Sequence, residues 1–211
     1  FTTYVDKKDF PNPPPKAPKH ILDKWIISKI EHLVSTAEFN LPERRLDYAR
    51  NSLDVFRFFD EYKNLYKAAV DIESINCVPV CIGFAFNKHH AISVPLLRKI
   101  GPHALTDMGD NEMVDCWRLI DQQLRRLRLV GHNFMYDEYK LSLIGFRTPN
   151  VYSDTLIKTR VIFPELPVKK LHVVSSLWTR EPFYKDEGKE FKLGKDKIDR
   201  HLLYNAKDCC V

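Results

Sequence analysis

The chain has 211 residues, 44% hydrophobic and 12% aromatic, enough for one sizeable core with an appendage. Thirty-three Lys and Arg against 28 Asp and Glu leave a net charge of +5, a modest excess that suits a polyanionic partner without requiring one. Apolar runs fall far short of the roughly 20 residues that span a bilayer, and the cysteines at 77, 81, 116, 209 and 210 form no Cys-x-x-Cys pair or zinc spacing. These features exclude a membrane-spanning helix and a zinc-ribbon class, and they predict a cytoplasmic protein with reduced thiols and no membrane partner.

Residues 10–18 hold five of the 13 prolines, which lack amide donors and favour an extended path, so a linker or surface strap is expected. Residues 21–34 carry apolar side chains close to helical spacing, and 53–62 follow as an aromatic-rich helix; both are expected to pack on what comes after. From Tyr66 the pattern reads as a short apolar strand ending in Asp71-Ile72-Glu73, then strands over 78–86 and 90–95. A helix over 111–126, a strand over 128–131, a helix over 134–143 and a short strand over 151–153 follow. Asp154 is placed as the cap of another helix, with a further one over 171–178 and a last one carrying Tyr204 and Asp208. Three strands without helices, then alternating strand and helix, predict an α/β fold with a mixed sheet flanked by helices. The division is a Pro-rich and helical extension over 1–63 and a catalytic domain over 64–211.

The chemistry concentrates in three motifs. Asp71 and Glu73 are two apart, so an extended strand turns both carboxylates to one face, toward the cleft that open α/β sheets use for ligands. Tyr204 and Asp208 are four apart in Tyr-Asn-Ala-Lys-Asp, so a helix projects both from one side. Asp137, in Asn133-Phe-Met-Tyr-Asp, enters from a second helix. Any one of these arises by chance in a chain with 28 acids, and Asp107, Asp110 and Glu112 cluster without a site. Together they change the reading, because acids on a buried strand carry a desolvation cost that coordinated metal relieves.

The three motifs resemble those of the DEDD exonuclease superfamily, specifically the proofreading 3′-to-5′ exonuclease domain of family A DNA polymerases, over residues 64–211. Tyr204 places the chain in the tyrosine branch; the histidine branch would have His where Leu203 stands, and His201 is out of register, read as a surface or capping residue. The resemblance implies an RNase H-like fold and two divalent ions, Mg²⁺ or Mn²⁺, held by Asp71, Glu73, Asp137 and Asp208. Tyr204 would orient the attacking water. It implies a single-stranded DNA 3′ end as substrate, met by Ser74, Cys77, Asn133 and Tyr136. Lys169 and Lys170 are candidate phosphate contacts, and Phe134 is expected in the core.

The stretch 177–190 resembles polymerase exonuclease domains more than RNase D, which remains the alternative together with a vestigial, non-catalytic domain. A polymerase domain would need several hundred further residues, so it is expected elsewhere in a longer bacterial or phage parent chain. The exonuclease is expected to be a monomer.

Overall fold

The computed structural model describes residues 43–179, 181 and 195–211. The Pro-rich stretch, the helix expected over 21–34 and most of 177–190 lie outside the described residues. Among the described residues there are eight strands: β1 (Arg45–Tyr48), β2 (Lys67–Ile75), β3 (Val78–Asn87), β4 (His90–Pro95), β5 (Lys99–Ile100), β6 (His103–Ala104), β7 (Arg128–Gly131) and β8 (Val151–Asp154). The helices are α1 (Ser52–Glu61), α2 (Asp110–Arg126), α3 (Phe134–Leu143), α4 (Thr155–Ile162), α5 (Leu171–Trp178) and α6 (Lys195–Cys210).

Six strands form one mixed sheet in the order β1-β4-β3-β2-β7-β8, and β5 pairs with β6 alone. β2, β3 and β4 are antiparallel neighbours, whereas β1, β7 and β8 join in parallel. The β2–β3 connection has two residues, Asn76 and Cys77, with φ of 50° and 67°. Positive φ at both central residues matches the twist of the flanking strands and fixes their register.

Alternation along β2 and β3 divides the sheet into two faces. Ala68, Val70 and Ile72 of β2 with Ile82, Phe84 and Phe86 of β3 point into the main core, where Val55, Phe58 and Phe59 of α1 and Ile120 and Leu124 of α2 meet them. Phe134 and Leu141 of α3 complete that side, which confirms Phe134 as a core residue. The opposite face carries small side chains, Ala69, Ala85 and Ala91, against which Ala206, Cys209 and Cys210 of α6 pack. The result is a sheet between two helical layers.

The close seat of α6 depends on Gly83. A Cβ built there would lie 2.6 Å from Cys209 Sγ and 2.8 Å from Asn205 Oδ1. Gly83→Ala is therefore expected to push α6 off the sheet and cost about 1–3 kcal/mol. An unchanged denaturant midpoint in that variant would contradict this packing.

Two features differ from the sequence reading. β1 was not expected; it is a four-residue strand whose partner β4 lies more than 40 residues away, and Ala49 behind it enters the main core. β2 also runs past the acids to Ile75 because its pairing with β3 continues there.

Candidate active site

The length of β7 decides where the site opens. β7 pairs with β2 only at Lys67, Ala68 and Ala69, so Asp71 and Glu73 stand beyond the last parallel pair on that side. The carboxylates therefore rise from a strand covered by β3 on one flank and bare of a ladder partner on the other. Their face is the one α6 covers, and α6 brings Asp208 to them. One carboxylate oxygen from each of Asp71, Glu73 and Asp208 lies within 4.8 Å of the others.

Asp137 comes from α3 on the other side of the sheet and is 5% exposed. Its Oδ1 accepts a hydrogen bond from the Ile72 amide at 3.0 Å, which anchors α3 to the strand between the two acids. Burial pushes its pKa up to about 7, opposed by that amide bond. Asp71 is held well above the usual carboxylate range, first by burial and then by the charges of Asp208, Asp137 and Glu73. The charges of Asp208, Asp137 and Glu73 crowd Asp71, a repulsion that a hard divalent cation would relieve. The donor set, all carboxylate oxygen, fits Mg²⁺ or Mn²⁺.

Tyr204 sits one turn before Asp208 and is hydrogen-bonded to it. Burial raises the phenol pKa, with Asp208 and Glu73 adding to the shift, which favours the protonated form that donates to Asp208. His201 is half-buried, not a surface residue, because it shares the α6 face of Tyr204, Asn205 and Asp208 by helical spacing. Burial pushes its pKa down to about 4.

One residue of the site was not singled out in the sequence. Asn205 is fully buried. Its Nδ2 donates to Asp71 Oδ2 at 3.0 Å and to the Asp71 carbonyl at 3.2 Å, while its Oδ1 accepts from Ser93 Oγ at 2.7 Å. The amide thus fixes the Asp71 carboxylate from behind. Asn205→Ala is expected to weaken divalent-ion affinity about 10–100-fold, the range for partners that orient a ligand. Mn²⁺ titration calorimetry checks this, and an affinity equal to wild type would contradict it.

A cleft of about 700 Å³ opens beside Tyr204 and Asp208, with His132, Asn133, Arg160 and Lys170 on its other walls. Asp154 builds that wall. It caps α4 through the Leu156 and Ile157 amides at 2.8 and 3.3 Å, as expected, and also accepts from the Asn133 and Phe134 amides at 3.0 and 2.8 Å. One carboxylate thereby organises two helix starts. His132 Nε2 donates to the Lys169 carbonyl at 2.8 Å, tying the loop before α5 to the end of β7.

The expected substrate contacts separate. Asn133 faces the cleft with φ of 65°. Ser74 lies at the irregularity that follows Glu73 in the β2–β3 ladder, its hydroxyl buried and without a hydrogen-bond partner among the described residues. Cys77 is at the exposed hairpin tip, and Tyr136 is half-exposed on α3. Lys140 joins these two, donating to the Cys77 carbonyl at 3.0 Å with Nζ 5.4 Å from the Tyr136 ring centre. Lys169 donates to the carbonyls of Pro164 and Leu166, so its ammonium is engaged in holding its own loop. Lys170 is exposed at the cleft.

The raised pKa of Asp137 has a stability consequence. Its folded value near 7 lies above the unfolded carboxylate value of about 3.9, so its favourable contribution is full below pH 4 and lost as pH rises through 7. His132 and His201, lowered by burial, slope the other way. In metal-free buffer, Asp137→Asn is expected to remove a loss of a few kcal/mol between about pH 4 and 7. Equal pH slopes for the two proteins in denaturant titrations would contradict the burial of a proton on Asp137.

No family model matches the chain, and no curated protein matches it. Among solved structures, the fold is similar to the POL domain of Pol1 from M. smegmatis in complex with DNA primer-template and dNTP, at 9% identity and a TM-score of 0.52 over 78% of this chain and 26% of that one. It is similar to the catalytic core of RRP6 from Trypanosoma brucei at 12% identity and a TM-score of 0.54, over 88% of this chain and 54% of that one. A structure described as the apo form of the nuclease matches at 10% identity and 0.50 over 80% of this chain. This chain spans about a quarter of the mycobacterial polymerase chain and about half of the RRP6 core. The architecture is an RNase H-like fold, a mixed six-stranded sheet flanked by helices.

Proposed function

We propose that this chain is a metal-dependent 3′-to-5′ exonuclease domain that removes 5′-mononucleotides from single-stranded or frayed DNA ends, as the proofreading module of a family A DNA polymerase. The observation that carries the reading is the convergence of Asp71, Glu73 and Asp208 within 4.8 Å, beside Tyr204 and at the edge of a cleft. The similarity in fold to a polymerase chain bound to primer-template supports the DNA assignment.

Asp71, Glu73 and Asp208 would hold the divalent ions, with Asp137 behind them. When bound, the ions supply a nucleophilic water at neutral pH and stabilise charge on the leaving 3′-oxygen. The protein's own groups set the geometry. Asn205 holds Asp71, the Ile72 amide holds Asp137, and the protonated Tyr204 donates to Asp208, so that its oxygen would accept a hydrogen bond from the attacking water. Asn133 and Tyr136 would meet the terminal nucleotide, and the cations Arg160 and Lys170 would draw the phosphate backbone into the cleft.

The likeness to the RRP6 core keeps an exoribonuclease as the second reading. Incubation of 5′-labelled single-stranded DNA and RNA of one sequence with Mn²⁺ decides between them. A ladder shortening from the 3′ end on DNA is expected; a faster ladder on RNA would move the chain to the ribonuclease branch.

A further inference from the structure

Three exposed side chains at the other end of β2 take no part in the carboxylate site. Arg128 lays its guanidinium over the Tyr152 ring, Cζ 3.9 Å from the ring centre, and Lys67 Nζ lies 6.0 Å from the same centre. Tyr152 is 51% exposed. Neither Lys67 nor Arg128 has a carboxylate partner among the described residues. Two positive charges are thus held against one aromatic ring with nothing to neutralise them.

The backbone explains why they meet. Lys67 and Arg128 are register partners in the parallel β2–β7 pair, so their side chains leave the sheet on one face. At the next strand Leu129 pairs with Val151 and Val130 with Ser153, which leaves Tyr152 as the extra residue of a bulge. Bulges bend the strand and re-aim a side chain, here onto Arg128.

The face they share is that of the catalytic acids. Lys67, Ala69, Asp71 and Glu73 alternate along β2, with Ala69 packed against the α6 cluster and Ala68, Val70 and Ile72 in the opposite core. Four residues of strand place Lys67 about 13 Å from Asp71. α6 packs on β1, β2, β3 and β4, which leaves β7 and β8 at the sheet edge beside it.

We infer that Lys67, Arg128 and Tyr152 form a second contact for the single-stranded nucleic acid whose 3′ end enters the carboxylate site. This rests on the nuclease reading and extends it to the upstream part of the strand. The two cations pair with phosphates, and the tyrosine, backed on one side by the guanidinium, offers its free surface to a base. An acidic peptide would be attracted by the same charges but has no use for the ring, and the position of the three side chains at the sheet edge beside α6, about 13 Å along β2 from Asp71, favours a strand already anchored there.

The test compares wild type, the Lys67→Gln/Arg128→Gln double variant and Tyr152→Leu. Fluorescence anisotropy in Ca²⁺ reads the binding of a labelled dinucleotide and of a single strand of about 12 nucleotides across a salt series. For the longer strand the double variant is expected to bind about tenfold more weakly, with the salt slope reduced by about 1.4, since single strands lose roughly 0.7 per phosphate contact. Tyr152→Leu is expected to weaken it about tenfold through lost stacking, with the salt slope kept. Dinucleotide binding should be unchanged in all three proteins.

Unchanged affinity for the longer strand, or an equal loss for the dinucleotide, would overturn the inference. So would a loss in the charge variant with none in Tyr152→Leu, which is the pattern of an acidic peptide surface. Mn²⁺ titration of the same proteins reads the carboxylate site separately: a wild type that binds no Mn²⁺ fails the nuclease reading itself.

Discussion

Asp71→Ala is expected to lower exonuclease turnover about 10³-fold, because divalent-ion chemistry supplies several kcal/mol of transition-state stabilisation and each 1.36 kcal/mol is tenfold. Asp71 is the acid on which the site converges. It shares a face with Glu73, lies within 4.8 Å of Asp208, and is held by Asn205 at 3.0 Å. The same substitution should make the metal-free domain more stable, because it removes an acid whose carboxylate form is opposed by burial and by the charges of Asp208, Asp137 and Glu73. Mn²⁺ should then no longer raise the melting temperature as it does for wild type. A variant with near wild-type turnover, or one still stabilised by Mn²⁺ to the same extent, would remove Asp71 from the metal site.

Tyr204→Phe is expected to reduce turnover about 10²-fold, the lower end for a group positioned to assist proton movement. It should retain Mn²⁺ binding. The substitution keeps the ring and removes only the hydroxyl that bonds Asp208. Because burial and the neighbouring acids hold the phenol above its ordinary pKa, it is expected to act as a hydrogen-bond donor and not as a base between pH 6 and pH 9. The loss in the variant should therefore be the same at pH 6 and pH 9. A deficit that disappears at high pH would assign Tyr204 a titrating role, and an unchanged rate would deny it any.

The parts of the site that follow from local periodicity were legible in the sequence. Asp71 and Glu73 share a face because strands repeat every two residues, and Tyr204 and Asp208 do so because helices return after four. Asp137 could be joined to them only through the resemblance, since its hydrogen bond to the Ile72 amide spans 65 positions. Asn205 was invisible for the same reason: its partners Asp71 and Ser93 are 134 and 112 positions away, and an asparagine inside a helix carries no local signal. Asp154 was read as a helix cap, which it is, but its bonds to Asn133 and Phe134 are again tertiary. Lys169, read as a phosphate contact, instead holds the carbonyls of its own loop.

The fold shows the same division. The strands β2, β3 and β4 are long or strongly apolar and were placed from pattern, whereas β1 is short and partly exposed and becomes a strand through pairing with β4. The two-residue strands β5 and β6 fall below what periodicity can register. The bulge that turns Tyr152 onto Arg128 is a matter of register between β7 and β8, which no single segment encodes.

The most direct test of the central claim is the chemical identity of the product released from single-stranded DNA in the presence of Mn²⁺. Chromatography of the reaction should show 5′-mononucleotides appearing one after another from the 3′ end, with none formed in EDTA. Release of oligonucleotides or 3′-mononucleotides, or product formation that persists in EDTA, would contradict a carboxylate-bound metal exonuclease.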